Sequence, residues 1–202
     1  MNTQELHRVL IVDDDEAIIV GYQLVLSGLV LESDPKTGSD TNDLASDLFA
    51  DELHEDNAGR RFLQDVVCCT QGLDGVRAVE QSISDGEPFS VAFIDMRMPP
   101  GIDGLETAKR IRAIDPHINI VIVTGYSDYH PHEIAQSVGP PDKLFCLAKP
   151  FEPMEIQQLA AALSHKRLFE TNLERKNEEL VGRCAELQRI NAELTASAAS
   201  SI

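Results

Sequence analysis

Several side chains of this 202-residue sequence are of the types that handle phosphoryl groups, and each stands directly after a short apolar run. Asp13, Asp14 and Asp15 follow VLIV, Asp95 follows VAFI, Thr124 follows IVIV, and Lys149 follows LFCLA. Clustered carboxylates repel one another and stay ionised best around a hard divalent cation, most naturally Mg²⁺. Such an ion keeps positions open for phosphate oxygens, while the Thr124 hydroxyl donates to a phosphoryl oxygen and the Lys149 ammonium neutralises it. Asp95, alone after its run, is then a carboxylate nucleophile that forms an acyl phosphate. Phosphoryl transfer demands mainly positioning and charge neutralisation, and this set supplies both. Taken singly, each residue has a plainer role: a helix cap, a turn or a loop. The ordered set is what carries the expectation.

The elements that must position these groups are legible as short continuous apolar runs, the mark of parallel strands buried on both faces. Strands are expected at 9–13, 65–69, 91–95, 118–124 and 144–148, with helices at 16–26, 73–83, 105–114, near 133–138 and from about 152. Strict strand–helix alternation predicts a doubly wound α/β domain with right-handed crossovers. In such sheets the sites gather at the carboxyl ends of the strands, where all the candidate residues fall.

Two segments break the rhythm. Residues 32–57 hold nine acids against the single Lys36, where an ordinary connection is a handful of residues. Leu44, Leu48, Phe49 and Leu53 recur there at helical spacing, so a short amphipathic helix and a solvated acidic loop both remain open. In the tail, Leu173, Leu180, Leu187 and Leu194 recur every seven residues. With these at d, Asn177, Cys184, Asn191 and Ala198 stand at a, a pattern that favours a parallel two-stranded coiled coil in fixed register. The leucine stripe is out of phase with the sheet-facing Ile156, Leu159, Ala160 and Leu163, so the helix must hand over its buried face near residues 165–169. The last residues, TASAASSI, read as a frayed end.

Acids outnumber Lys plus Arg by 34 to 17. So negative a surface disfavours nucleic acid and anionic membrane as partners. No stretch approaches the roughly 20 apolar residues of a membrane span, and MNTQELHR lacks an export core. Cys68, Cys69, Cys146 and Cys184 show no metal-ligand spacing and read as reduced thiols. A cytoplasmic location is expected.

VLIVDDDEA, FIDMRMP, IVIVTGYSD and LAKPFEP together resemble the response-regulator receiver family from about residue 8 to 163, interrupted by the acidic insert. The resemblance implies a flavodoxin-like five-stranded parallel sheet in the order 2-1-3-4-5. It implies a receiver over 1–165, with the insert at 32–63, and a coiled-coil helix over 166–202. Asp95 would be the phosphoacceptor, supplied by a histidine kinase or phosphotransfer protein. Mg²⁺ would be bound directly by Asp14 and Asp95, by Asp13 mostly through water, and by the backbone carbonyl of Arg97. Thr124 and Lys149 would contact the phosphoryl group, and the Lys149–Pro150 bond would be cis. The insert and TGYSDYHPHEI are similar to receivers placed before a coiled helix and a cyclic-di-GMP (GGDEF/EAL) or histidine-kinase output module. No such output motif lies in this chain, so a piece of a longer protein and a stand-alone switch are both open.

Three features depart from the family pattern. PPGIDG makes the loop after Asp95 one residue longer, and Cys146 replaces the switch aromatic, with Phe145 one position earlier. Arg97 and Tyr126 flank the place where water would attack the acyl phosphate. Two rival readings remain. A haloacid-dehalogenase-type phosphatase also uses Asp, Thr, Lys and Mg²⁺, and Asp13 and Asp15 have its DxD spacing; it leaves Asp95 without a task and finds Ala17 where it needs Thr or Val. A degenerate receiver would serve only as a protein-interaction scaffold, which the intact acid, Thr and Lys set opposes.

Overall fold

A computed structural model describes residues 7–30, 63–125, 134 and 137–199. The acidic insert up to residue 62, Tyr126 and most of the 133–138 helix lie outside the described residues. The chain divides into two compact units, Met1–Ser164 and His165–Ile202.

The first unit holds the strands β1 (His7–Val12), β2 (Leu63–Cys69), β3 (Val91–Asp95), β4 (Asn119–Thr124) and β5 (Leu144–Ala148). They form one sheet in the order β2-β1-β3-β4-β5, all parallel, as expected. Helices α1 (Glu16–Val30), α2 (Gly72–Ser84) and α3 (Gly104–Ile114) alternate with them, and α4 (Pro153–Ala199) follows β5. A short 3₁₀ turn, Pro141–Lys143, precedes β5 and had no sequence expectation.

The continuous apolar runs are explained by burial on both faces. Leu10, Val12, Ala92, Ile94, Ile120 and Ile122 point to one side, where they meet Val76 and Val79 of α2 and Ala108 and Ile111 of α3. Val9, Ile11, Val91, Phe93, Val121 and Val123 point to the other, against Ile19, Tyr22 and Leu26 of α1 and Ile156, Ala160 and Leu163 of α4. Period-2 alternation within each strand thus sorts its residues into two cores.

The boundaries shift by a few residues. β1 starts at His7, which pairs with Leu63, the first residue of β2 and the last position assigned to the insert. α1 runs to Val30 rather than residue 26, because Leu26 is fully buried and the helix does not end on it. The tail is helical to Ala199, so most of TASAASSI continues α4 rather than fraying before it. No helix among the described residues is long and apolar enough to cross a membrane.

Candidate phosphoryl-transfer site

The carboxyl edge of the sheet brings the strand ends together by register alone. Asp95 pairs with Val123, and Thr124 pairs with Ala148, the residue before Lys149. The backbone N–H of Met96 donates to Val123 O at 2.9 Å, and that of Lys149 to Thr124 O at 2.8 Å, so β3, β4 and β5 stay tied just past their ends. On the other flank, the Asp13 N–H donates to Cys69 O at 3.2 Å. A cleft of about 340 Å³ opens there, with Asp13, Asp14, Asp95, Arg97, Gly125 and Lys149 in its walls.

Lys149 is the hub of this cleft. Its Nζ lies 3.0 Å from Asp13 Oδ2 and 2.5 Å from Asp95 Oδ1. Both carboxylates are buried, with side-chain exposures of only 3% and 8%. The other Asp95 oxygen, Oδ2, accepts the backbone N–H of Arg97 at 2.7 Å. Asp95 is therefore held at both oxygens, by the Lys149 ammonium at one and a backbone N–H at the other, which fixes the orientation of its carboxylate. Burial pushes the Asp13 carboxyl above its usual range; the Asp15 N–H and Lys149 offset only part of this, and the Asp95 charge adds to it. Burial acts to lower Lys149, but its bonds and charges to Asp95 and Asp13 outweigh that and raise it. The two directions are compatible, since one ammonium gains from two carboxylates while Asp13 shares that ammonium.

Asp14 is exposed and lines the cleft. Asp15 is exposed and lines the cleft too, but its side chain is engaged in the fold: its Oδ1 accepts the Ala17 N–H at 2.8 Å, and its carbonyl accepts the Ile19 N–H at 3.0 Å. That is an N-cap on α1, which gives the second acid of the DxD pair a structural task. Thr124 departs from expectation. Its backbone is in place, but its hydroxyl donates to the Gly125 carbonyl at 3.0 Å, and Thr124 is not among the residues lining the cleft.

The acid set suits Mg²⁺, which dehydrates reluctantly and is usually held by one or two carboxylates plus phosphate oxygens rather than by a protein cage. Among the described residues no three Asp, Glu, His or Cys side chains converge to enclose a metal. The buried Asp13 and Asp95 and the exposed Asp14, all in the walls of one cleft, offer an open acidic edge of that kind.

Sequence reading missed the residues behind Asp95. Gly104 opens α3, and a Cβ there would collide with the Asp95 carbonyl oxygen and lie 2.8 Å from Met96 Cα. Asp103 caps α3 by accepting the Glu106 N–H at 2.8 Å, and the Gly104 N–H donates to Met96 O at 3.0 Å. The Asp103–Glu106 spacing of a capping box was the signal that locates the helix start after the lengthened loop. Gly104→Ala is expected to cost about 1–3 kcal/mol by overpacking against backbone, measured by urea denaturation. The Lys149–Pro150 bond is cis, as the resemblance implied.

Residues 54–161, more than half of the chain, match the family model described as the response regulator receiver domain. The chain belongs to that family. The match begins after β1, so it leaves out Asp13 and Asp14, which the sheet nevertheless brings beside Asp95. Sporulation initiation phosphotransferase F of Bacillus subtilis (strain 168) is 32% identical over 87 residues, covering 43% of this chain and 65% of that protein. Transcriptional regulatory protein ZraR of Klebsiella oxytoca is 32% identical over 107 residues, 52% of this chain and 22% of the relative. The chain thus spans less than two thirds of either curated relative. The crystal structure of a CheY-like response regulator receiver domain protein from Methanospirillum hungatei JF-1 shares the fold. Its TM-score is 0.55 at 19% identity, over 82% of this chain and 98% of that one. Receiver domains are phosphoacceptor switches of two-component phosphorelays and are not enzymes in themselves.

Proposed function

We infer that Asp95 of this receiver accepts a phosphoryl group from a phosphohistidine, carried by a histidine kinase or a phosphotransfer protein, and that α4 passes the resulting state on as a homodimeric helix. The observation that carries this reading is the double restraint on Asp95, by Lys149 at one oxygen and the Arg97 N–H at the other, within an acidic cleft.

In the transfer, an Asp95 carboxylate oxygen attacks phosphorus as the bond from phosphorus to the donor imidazole nitrogen breaks. The product is an acyl phosphate and a free imidazole. Lys149 follows the charge, moving its ammonium from the two carboxylates to the phosphoryl oxygens. The Thr124 hydroxyl turns from the Gly125 carbonyl to donate to another of those oxygens. A Mg²⁺ ion held by Asp14, Asp95 and the Arg97 carbonyl, with Asp13 reaching it through water, would supply charge neutralisation at the phosphoryl group. Asp95 then holds the phosphoryl group until water attacks phosphorus.

A small-molecule phosphodonor with Mg²⁺ should add one phosphoryl group per chain by intact-mass spectrometry, and p-nitrophenyl phosphate should not be turned over. Sustained turnover of p-nitrophenyl phosphate would establish a phosphatase instead. No uptake from any donor would leave the scaffold reading.

A further inference from the structure

β4 carries one residue that its own pattern does not call for. Asn119, Val121 and Val123 alternate toward the face that packs α1 and α4, where the two valines join Ile156, Ala160 and Leu163 in one core. Asn119 begins that row with no exposure at all. A buried amide is tolerated only when its polar atoms are bonded. Here the side-chain Nδ2 donates in two directions, to Ser90 O at 3.2 Å and to Leu163 O at 3.0 Å. The Asn119 backbone N–H donates to Ser90 O as well, at 3.2 Å. Ser90 is in turn joined through its hydroxyl to Nδ1 of the buried His7, at 3.1 Å. A buried polar chain therefore crosses the amino edge of the sheet from β1, past the start of β3, to β4, and ends on a carbonyl of α4.

Leu163 is the last buried leucine of the first unit, which closes at Ser164. Ser164 is itself fully buried, and its hydroxyl has no partner among the described residues. Apolar contacts of Ile156, Ala160 and Leu163 hold α4 on the sheet but are non-directional, so they tolerate small axial slips or rotations. A hydrogen bond to one carbonyl does not. Buried polar groups are best attested where they fix register at some cost in stability.

We propose that Asn119 is the positioning residue that sets the axial and rotational register of α4 at the point where it leaves the receiver. This rests on the reading that α4 carries the output. The valine row and the α4 core provide stability, and the Gln157 side chain ties α4 to Val25 O of α1 at 2.9 Å, whereas Asn119 provides a directional tie from the sheet itself to the last buried turn of α4. Lying at the opposite strand ends from Asp95, it takes no part in accepting the phosphoryl group.

The test uses the full chain, hydrogen exchange read by mass spectrometry, and beryllofluoride with Mg²⁺ as a phosphoryl mimic. Asn119→Val should fold and take up a phosphoryl group at Asp95 to the wild-type extent. Without the mimic, amides of residues 158–168 should exchange at least tenfold faster than in wild type. The mimic-dependent change in exchange over residues 165–180 should be lost. A merely structural residue would lower the thermal midpoint without uncoupling the tail from the mimic. Wild-type exchange at 158–168 together with an intact mimic response would overturn the proposal. If wild type itself shows no mimic response, the output reading fails, and the comparison at 158–168 still decides the register tie. Should Asn119→Val not fold, Asn119→Ser, smaller and still polar, carries the same two readouts.

Discussion

Asp95→Asn should take up no phosphoryl group under conditions where wild type gains one per chain. An amide has no anionic oxygen to attack phosphorus, so the loss is complete rather than graded. The fold should survive, for reasons that can be weighed. Asp95 accepts from Lys149 at Oδ1 and from the Arg97 N–H at Oδ2. Asn offers one oxygen, so one of these donors must face its NH₂ group, and a lost bond of this kind costs about 1–3 kcal/mol. Against that, one negative charge leaves a repelling acidic cluster, which stabilises it. The two effects oppose, and a shift in thermal midpoint of only a few degrees is expected. Asp14→Ala should likewise keep the fold and abolish Mg²⁺-dependent phosphorylation, because Asp14 is exposed and lines the cleft, whereas the Asp15 carboxylate caps α1. Asp15→Ala should retain phosphorylation and lose about 1 kcal/mol of stability with its helix cap. Equal incorporation in Asp95→Asn and wild type would show that another residue is the acceptor. Loss of Mg²⁺ binding in Asp15→Ala but not in Asp14→Ala would move the metal site by one residue.

What could be read from the sequence was whatever depends on strand ends. A parallel sheet covered on both faces forces continuous apolar runs, and the residue after each run must lie at one edge, so Asp13, Asp95, Thr124 and Lys149 were placed without any knowledge of side-chain contacts. Contacts between distant elements left no such trace. The Lys149 bridge spans 136 positions to Asp13, and nothing in LAKPFEP says which carboxylate it meets first. The Thr124 hydroxyl has a neighbour in its own loop, Gly125, and local bonds of that kind win when no phosphoryl oxygen competes. Gly104 was hidden for a different reason. Its constraint is the closeness of α3 to the end of β3, a packing distance that one sequence does not encode, although the Asp103–Glu106 capping pair beside it was visible. Asn119 was passed over as an ordinary strand residue, since a lone amide in INIVIVT discloses neither its burial nor its bond to Leu163.

The full chain should be a parallel homodimer through the second unit, and a chain ending at Phe169 should be monomeric. Along α4, Leu173, Leu180 and Leu187 are 50%, 57% and 66% exposed, and Phe169 is 72% exposed. Covering six such leucines between two copies contributes roughly 9–18 kcal/mol, against an association cost of about 4–15 kcal/mol. The two ranges overlap, so these leucines support a reversible rather than a permanent dimer. In such a dimer Asn177 and Asn191, at a, would face their symmetry mates and disfavour shifted or antiparallel pairings, at some cost in stability. Replacing both with Leu should tighten association and loosen its specificity toward higher oligomers. Orientation has its own test, because the heptads are centred close to Cys184, so oxidation of Cys184 would link either orientation. With Cys184→Ser and Ala198→Cys, an a position near the end, oxidation links the two tails only if they run parallel. Sedimentation at roughly tens of micromolar decides the association itself. A monomeric full chain, or equally strong dimers in the chain ending at Phe169, would remove the coiled coil from the output and leave the exposed leucines to a partner of another sequence.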